Sequence, residues 1–315
     1  MAKRKDIHFR MEEKLLERFE AALHYESLNK TDVLTHAIQQ FCTKVECEKM
    51  NDVKRQYNVS NHLQTRINTH KNYEEKHVNL DEVVMEHLQL QGEEKILEVG
   101  CANGKFLTLL QTNGHKGHLT GFDQSTTMLF EAAKQGGNIE WKLGDASKLP
   151  FPSYSYDWVI ARHMLYHMND VEKTIRGFHK VIRPDGGLLA TTNSRVSLPH
   201  IDEMCNKMLV AFGLPEKSQT AAPFCLENGR ELLQSSFPFV EETVIQNSLI
   251  FNSVTPIANY IASMFPSLNI PDNMHLHVEM QEWLKIEIEN ELALRDGIWS
   301  DPKILAIYRC KKGKS

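Results

Sequence analysis

The residues of this 315-residue chain best suited to chemistry are carboxylates placed where apolar runs end. Glu98 interrupts the run Ile96-Leu97-Glu98-Val99 at its far end, Asp123 closes His118–Asp123, and Asp145 follows Asn138–Leu143 within Gly144-Asp145-Ala146. An ionised carboxylate only accepts hydrogen bonds, so such a series suits a ligand that presents hydroxyls and amines. Most surface Asp and Glu are merely solvated strand ends or helix caps. Glu98 departs furthest from that default and Asp123 nearly as far, whereas Asp145 also suits a cap of the turn that follows. A second group is Arg162-His163-Met164-Leu165-Tyr166-His167, with His200 further on. These histidines are the candidate general bases, and His163 and His167 lie one helical turn apart. Cys101 has no sequence partner to activate it and reads as a small turn residue.

Stepping from these residues to the elements that must hold them, Lys95–Phe106 (KILEVGCANGKF) reads as a short buried strand, a glycine turn and the start of a helix over Lys105–Gln111. That unit brings backbone N–H groups and a helix N-terminus beside a small ligand. A P-loop needs GxxxxGK followed by Ser or Thr, but Gly100 and Gly104 are too close together and Phe106 follows Lys105. A dinucleotide turn needs GxGxxG, and Ala102 stands where the middle glycine belongs. Further strands are predicted at His118–Asp123, Asn138–Leu143 and Tyr156–Ala161. A helix follows over Asp170–Ile182, then a turn at Arg183–Gly187 and a fifth strand at Leu188–Asn193. A site for S-adenosylmethionine (SAM) answers this pattern: it needs a close turn for the amino-acid end and acceptors for ribose and adenine, with Asp123 on the ribose and Asp145 on the adenine amine.

The blocks Glu98–Gly104 (EVGCANG), Gly121–Ser125 (GFDQS), Gly144–Asp157 (GDASKLPFPSYSYD) and Ile182–Gly187 (IRPDGG) resemble the class I SAM-dependent methyltransferases, in the branch of the ubiquinone and menaquinone methyltransferases. The resemblance covers Arg66–Asn193. It implies an α/β, doubly wound Rossmann-like sheet with a helical substrate cover. The implied cofactor-binding residues are Tyr73, Glu98, Gly100, Cys101, Gly104, Asp123, Gln124, Asp145, Ala146 and Arg162, with no metal. His163 and His167 fall in the HMLYH block of that branch, and with His200 they are the implied catalytic candidates. The segment Arg66-Ile67-x-x-His70-x-x-Tyr73 matches one that precedes the domain in this branch, which implies a lid folded over the cofactor.

The first residues read differently. Ile7, Phe9 and Met11 alternate with Asp6, His8 and Arg10, as in a strand with one buried face, and two stretches of helical spacing follow. Over Lys5–Lys44 the chain resembles the ribbon–helix–helix family, in which paired strands of a dimer enter the DNA major groove. That implies Asp6, His8 and Arg10 as base-facing residues and Lys3, Arg4 and Lys5 as phosphate contacts. Ser27 stands where the family has Gly. Met1–Lys49 holds nine basic and nine acidic residues, so only its tip is basic, and a ribbon that only dimerises is the plainer reading.

The expected organisation is therefore a ribbon–helix–helix-like module over 1–47, a linker and lid over 48–78, and the methyltransferase domain over 79–315. After the fifth strand the chain predicts helices at Ile201–Phe212, Phe224–Leu233, Val254–Pro266 and Met274–Arg295, with strands at Val240–Phe251 and Lys303–Lys311. Ile257, Tyr260, Ile261, Met264, Phe265 and Trp283 make this cover apolar, although such a stripe is as readily plain core. The six cysteines show no CxxC pair, and no run approaches the ~20 apolar residues of a membrane helix, which predicts a cytoplasmic protein. A net charge of −5 argues against general nucleic-acid binding. Ala161-Arg162-His163-Met164 replaces the Asn/Asp-Pro-Pro-aromatic block of base-flipping amino-methyltransferases, and no Pro-Cys nucleophile occurs. The leading expectation is methyl transfer to a small molecule by a dimer. The alternatives are a DNA-binding regulator that senses SAM or a metabolite, and a nucleic-acid methyltransferase aimed by the N-terminal module.

Overall fold

The computed structural model describes residues 14, 16–20, 30, 61–217 and 222–313. The chain divides into two compact units, 1–59 and 60–315. In the first, residues 16–20 are helical and Lys30 pairs with Glu20 at 3.2 Å. The strand expected to carry Asp6, His8 and Arg10 lies outside the described residues. The lid expected over 48–78 is divided: residues 61–73 form helix α1 and belong to the second unit.

That unit is built on a seven-stranded sheet of order β3-β2-β1-β4-β5-β7-β6. Strands β1 (Ile96–Val99), β2 (Leu119–Asp123), β3 (Ile139–Leu143), β4 (Tyr156–Arg162) and β5 (Ile182–Asn193) pair in parallel. The long β6 (Phe239–Phe251) and β7 (Trp299–Lys311) add an antiparallel edge. The apolar runs of β1 and β4 are buried on both faces, as parallel strands covered by helices must be. Leu97, Val159 and Ala161 pack on one face beneath α5 (Val171–Val181). Ile96, Trp158 and Ile160 pack on the other, with α2 (Leu80–Leu88) and α3 (Lys105–Thr112). Helix α5 shows the logic in miniature. Val171, Ile175, Phe178 and Val181 recur at helical spacing and are buried, while Asp170 caps the N-terminus by accepting from the Lys173 N–H.

The turn expected at Arg183–Gly187 is instead the beginning of β5. Ile182 pairs with Tyr156, and a register shift between Tyr156 and Trp158 absorbs the irregularity. A bulge is where a strand tolerates Pro184, which has no N–H to donate.

A third apolar cluster forms the cap. Helix α7 (Leu226–Gln234) buries Leu233 with α5, whereas the cap joins α6 (Pro199–Ala211), α8 (Val254–Ala262) and α9 (Met274–Leu294) to Leu249 and Phe251 of β6 and to Trp299 of β7. Helix α1 docks here: the Tyr73 ring lies 4.9 Å from that of Phe251, the Glu75 N–H donates to the Ser248 carbonyl, and Asn247 bonds both backbone groups of Lys76.

Candidate functional site

The strand order reverses between β1 and β4, and there the C-terminal strand ends open a crevice. A cavity of about 190 Å³ occupies it. It is lined by Val99 and Gly100 after β1, Phe122, Asp123 and Gln124 after β2, Gly144 and Ala146 after β3, and His163, Met164, His167 and Met168 after β4.

The glycine turn is held by hydrogen bonds to β2. The N–H groups of Gly100 and Cys101 donate to the Phe122 carbonyl at 2.8 and 3.3 Å, and that of Ala102 donates to Asp123 Oδ2 at 2.9 Å. Asp123 Oδ1 accepts from the Ser125 N–H at 2.8 Å, and the Ser125 side chain caps α4 (Thr126–Ala133). Gly100 and Gly104 adopt φ of 71° and 73°. A Cβ on Gly100 would stand 2.8 Å from that of Met164, and one on Gly104 would strike the Trp141 ring at 2.3 Å. Only glycine fits both the conformation and the space.

Strand periodicity explains the charge cluster beneath this turn. Glu98 pairs in register with Ile160, and Arg162 stands two residues beyond Ile160 on the same face. The Arg162 guanidinium leans back over Phe106, 4.1 Å from its ring, and bonds Glu98 Oε1 at 2.9 Å and Asp81 of α2 at 2.5 Å. Burial pulls the guanidinium down, but the two carboxylates more than restore it, so it stays charged. Burial lifts the Glu98 carboxyl above its ordinary value while Arg162 draws it the other way. Glu98 Oε2 is buried and has no hydrogen-bond partner.

The histidines divide. His163, at φ 50°, and His167 both line the cavity, and desolvation holds His163 neutral with its pKa down to about 4. His200 is not among the lining residues. It begins α6, with its N–H donated to Asp301, its Nδ1 3.0 Å from the Ser300 carbonyl and its ring beside Trp299. Gly144 and Ala146 line the cavity but Asp145 does not, and it caps the short helical turn Ala146–Lys148 by accepting from the Ser147 N–H. Tyr73 packs on the cap, and Arg162 faces α2 and α3. Cys101 is buried, its thiol pushed far up by desolvation, so it is no nucleophile. Sequence reading missed Phe122, Met164 and Met168, which give the cavity its apolar walls; their position beside Asp123 and within the HMLYH block was the available signal.

The residues fit an adenosyl amino acid. Each Asp123 oxygen takes one N–H and keeps acceptor capacity for a vicinal diol, while the bare, buried Glu98 Oε2 suits an ammonium group. Among the described residues no His, Cys, Asp and Glu cluster could hold a metal, and no helix is long and apolar enough to cross a membrane.

Comparison with known proteins bears on the same parallel strands. A family model described as a methyltransferase domain matches residues 97–190. A demethylmenaquinone methyltransferase of Staphylococcus epidermidis is 29% identical over 168 residues, covering 52% of this chain and 68% of that protein. Its namesake in Listeria welshimeri is 29% identical over 136 residues, 41% of this chain and 58% of that one. A solved structure from Bacillus halodurans, assigned to the methyltransferases, superposes with a TM-score of 0.52 at 17% identity. It covers 74% of this chain and 99% of that one, a likeness of fold.

Proposed function

We infer that the chain is a class I SAM-dependent methyltransferase, as the methyltransferase-domain match over residues 97–190 supports, and that its own residues serve transfer of a methyl group to a small organic acceptor. When bound, SAM supplies an electrophilic methyl group on a sulfonium. Asp123 would accept from the ribose hydroxyls, Glu98 from the ammonium group, and Phe122, Met164 and Met168 would flank the adenine. Gly100, Cys101 and Gly104 shape the turn that admits the amino-acid end, and Gln124, Ala146 and the Asp145 turn border the adenosine. Arg162 acts at one remove, by fixing the Glu98 carboxylate. Displacement at a sulfonium has a good leaving group, so the protein's main work is to orient the acceptor and exclude water. A proton on the acceptor has neutral His163 or His167 to receive it. His200 lies apart from this work.

The observation that carries this reading is the Asp123 carboxylate lining the cavity at the switch point, with the bare Glu98 oxygen buried on the neighbouring strand β1. The relatives' substrate is a quinone precursor by name, but the family match ends at residue 190, ahead of the cap, so the acceptor must be argued from the cap itself. The ribbon reading of 1–47, with its dimer and DNA contact, draws no support from the comparisons, nor does the cytoplasmic location.

Calorimetry with S-adenosylhomocysteine tests the cofactor assignment. Asp123→Ala is expected to weaken binding by about 1.5–3 kcal/mol, as loss of hydrogen bonds to a charged group does. Thermal melting must accompany it, because the substitution also strips acceptors from the Ala102 and Ser125 N–H groups. Unchanged affinity in a folded variant would remove Asp123 from the site. Transfer of labelled methyl from SAM into the small-molecule fraction of a lysate tests the acceptor class, and label only in nucleic acid would overturn it.

A further inference from the structure

Arg66 and His70 lie one turn apart on α1 and so share a face of that helix. Each keeps unmet hydrogen-bonding capacity among the described residues. The other seven arginines between residues 61 and 313 all stand within 3.8 Å of a carboxylate, but Arg66, half-buried, meets none among the described residues. His70 has its Nε2 3.4 Å from the Tyr260 hydroxyl, while its Nδ1 is buried with no hydrogen bond at all. A buried polar atom left bare costs free energy that a ligand atom can recover.

The surroundings say which side of the site these groups serve. His70 meets Tyr260 of α8 edge-on, with ring centroids 5.6 Å apart, so it stands on the cap. The charge of Arg66 acts on Tyr166, His167 and Tyr260, and His163 acts on His70. His163 and His167 line the cavity. The groups acting on Glu98, under the glycine turn, are instead Arg162, Asp81 and Asp123. Lys303, the other cation near His70, is already spent on Glu74. An unpaired guanidinium and a bare imidazole nitrogen thus share one face of α1, the imidazole against Tyr260 of the cap, where an anionic oxygen would satisfy both.

Building on the methyltransferase reading, we propose that Arg66 and His70 anchor a carboxylate on the methyl acceptor, which makes the acceptor a small organic acid.

The test uses the full chain saturated with S-adenosylhomocysteine and acetate as the probe. The His70 ring is followed by NMR, its signal assigned by its loss in His70→Gln. A saturable shift of that ring is expected, about tenfold weaker or absent in Arg66→Gln and partly kept in Arg66→Lys, with homocysteine-cofactor affinity equal in all. Melting curves establish that the variants fold. No response of His70 to acetate in the folded wild type would overturn the proposal. So would a loss of S-adenosylhomocysteine affinity in Arg66→Gln, since that assigns the cation to the cofactor's own carboxylate. Failure of the methyltransferase reading would show separately, as no S-adenosylhomocysteine binding by the wild type, and the acetate titration would still read the anchor.

Discussion

The two halves of the site satisfy their polar groups in opposite ways. At the parallel strand ends, apart from the bare Glu98 Oε2, the charged groups are met by the chain itself: Asp123 by two backbone N–H groups, Arg162 by two carboxylates, Asp145 by its own turn. At the border of the cap, no carboxylate pairs with Arg66 and no group bonds the Nδ1 of His70 among the described residues, beside the apolar cluster of the cap. The first half is a frame that holds its shape through internal pairing. The second keeps its pairing capacity for a ligand, and the difference suggests where common cofactor binding ends and individual acceptor recognition begins.

The comparison breaks most sharply at Arg162. If the frame rests on internal pairing, removing the cation leaves Glu98 buried and uncompensated. Arg162→Met is expected to cost about 3–5 kcal/mol in urea unfolding, and adding Glu98→Gln to recover most of it. A loss below about 1 kcal/mol would show that Glu98 simply takes up a proton and that the ion pair holds little. Arg66→Gln, tested the same way, is expected to change stability hardly at all, because it breaks no ion pair among the described residues.

How much of this the sequence disclosed follows the same division. Glu98, Gly100, Gly104 and Asp123 were legible because strand alternation, a glycine turn and a strand-terminal acid are local facts, and the fold repeats them in order. The parallel strands were legible from their apolar runs, and the cap helices from their spacing. The resemblance implies Arg162 as a cofactor contact, and nothing local in the sequence marks it as the clamp on Glu98. That role depends on Asp81, eighty-one residues away, and on β1–β4 register. Asp145 kept both of its readings until the Ser147 N–H was found on it. The pairing of His70 with Tyr260 spans 190 residues, and no periodicity encodes it.

The cap border differs again in its response to pH. His70 and His163 are held neutral chiefly by desolvation, at about 3 and about 4 against 6.5 for a free imidazole. The unfolded chain therefore binds protons that the fold refuses. Their contribution is whole above about pH 6.5 and is lost as pH falls through 6.5 towards 4 and then 3. By pH 5 each is expected to remove on the order of 1–2 kcal/mol, and His70→Gln or His163→Gln to flatten the dependence of melting temperature between pH 7 and 5. Glu98, raised by burial, has the opposite sign, so the series is best run in Glu98→Gln as well. An unaltered slope in the histidine variants would mean that both imidazoles charge freely and that the border is wet.

The smallest effect lies inside the frame. Ala102 sits at φ 47°, in the left-handed region where a Cβ costs about 1–2 kcal/mol, and the Asp123 carboxylate holds it there through its N–H. Glycine at this position loses that strain but gives back ~0.5–1 kcal/mol of unfolded-chain entropy. Ala102→Gly is thus expected to stabilise by up to about 1 kcal/mol, seen as a rise of a few degrees in melting temperature. The variant also separates strain from pairing as the source of the turn's shape. If stability rises while S-adenosylhomocysteine affinity holds, Asp123 and the backbone bonds to Phe122 suffice to set the turn. If affinity falls as stability rises, the Ala102 methyl itself narrows the turn for the ligand, and this frame is less generic than its hydrogen bonds make it.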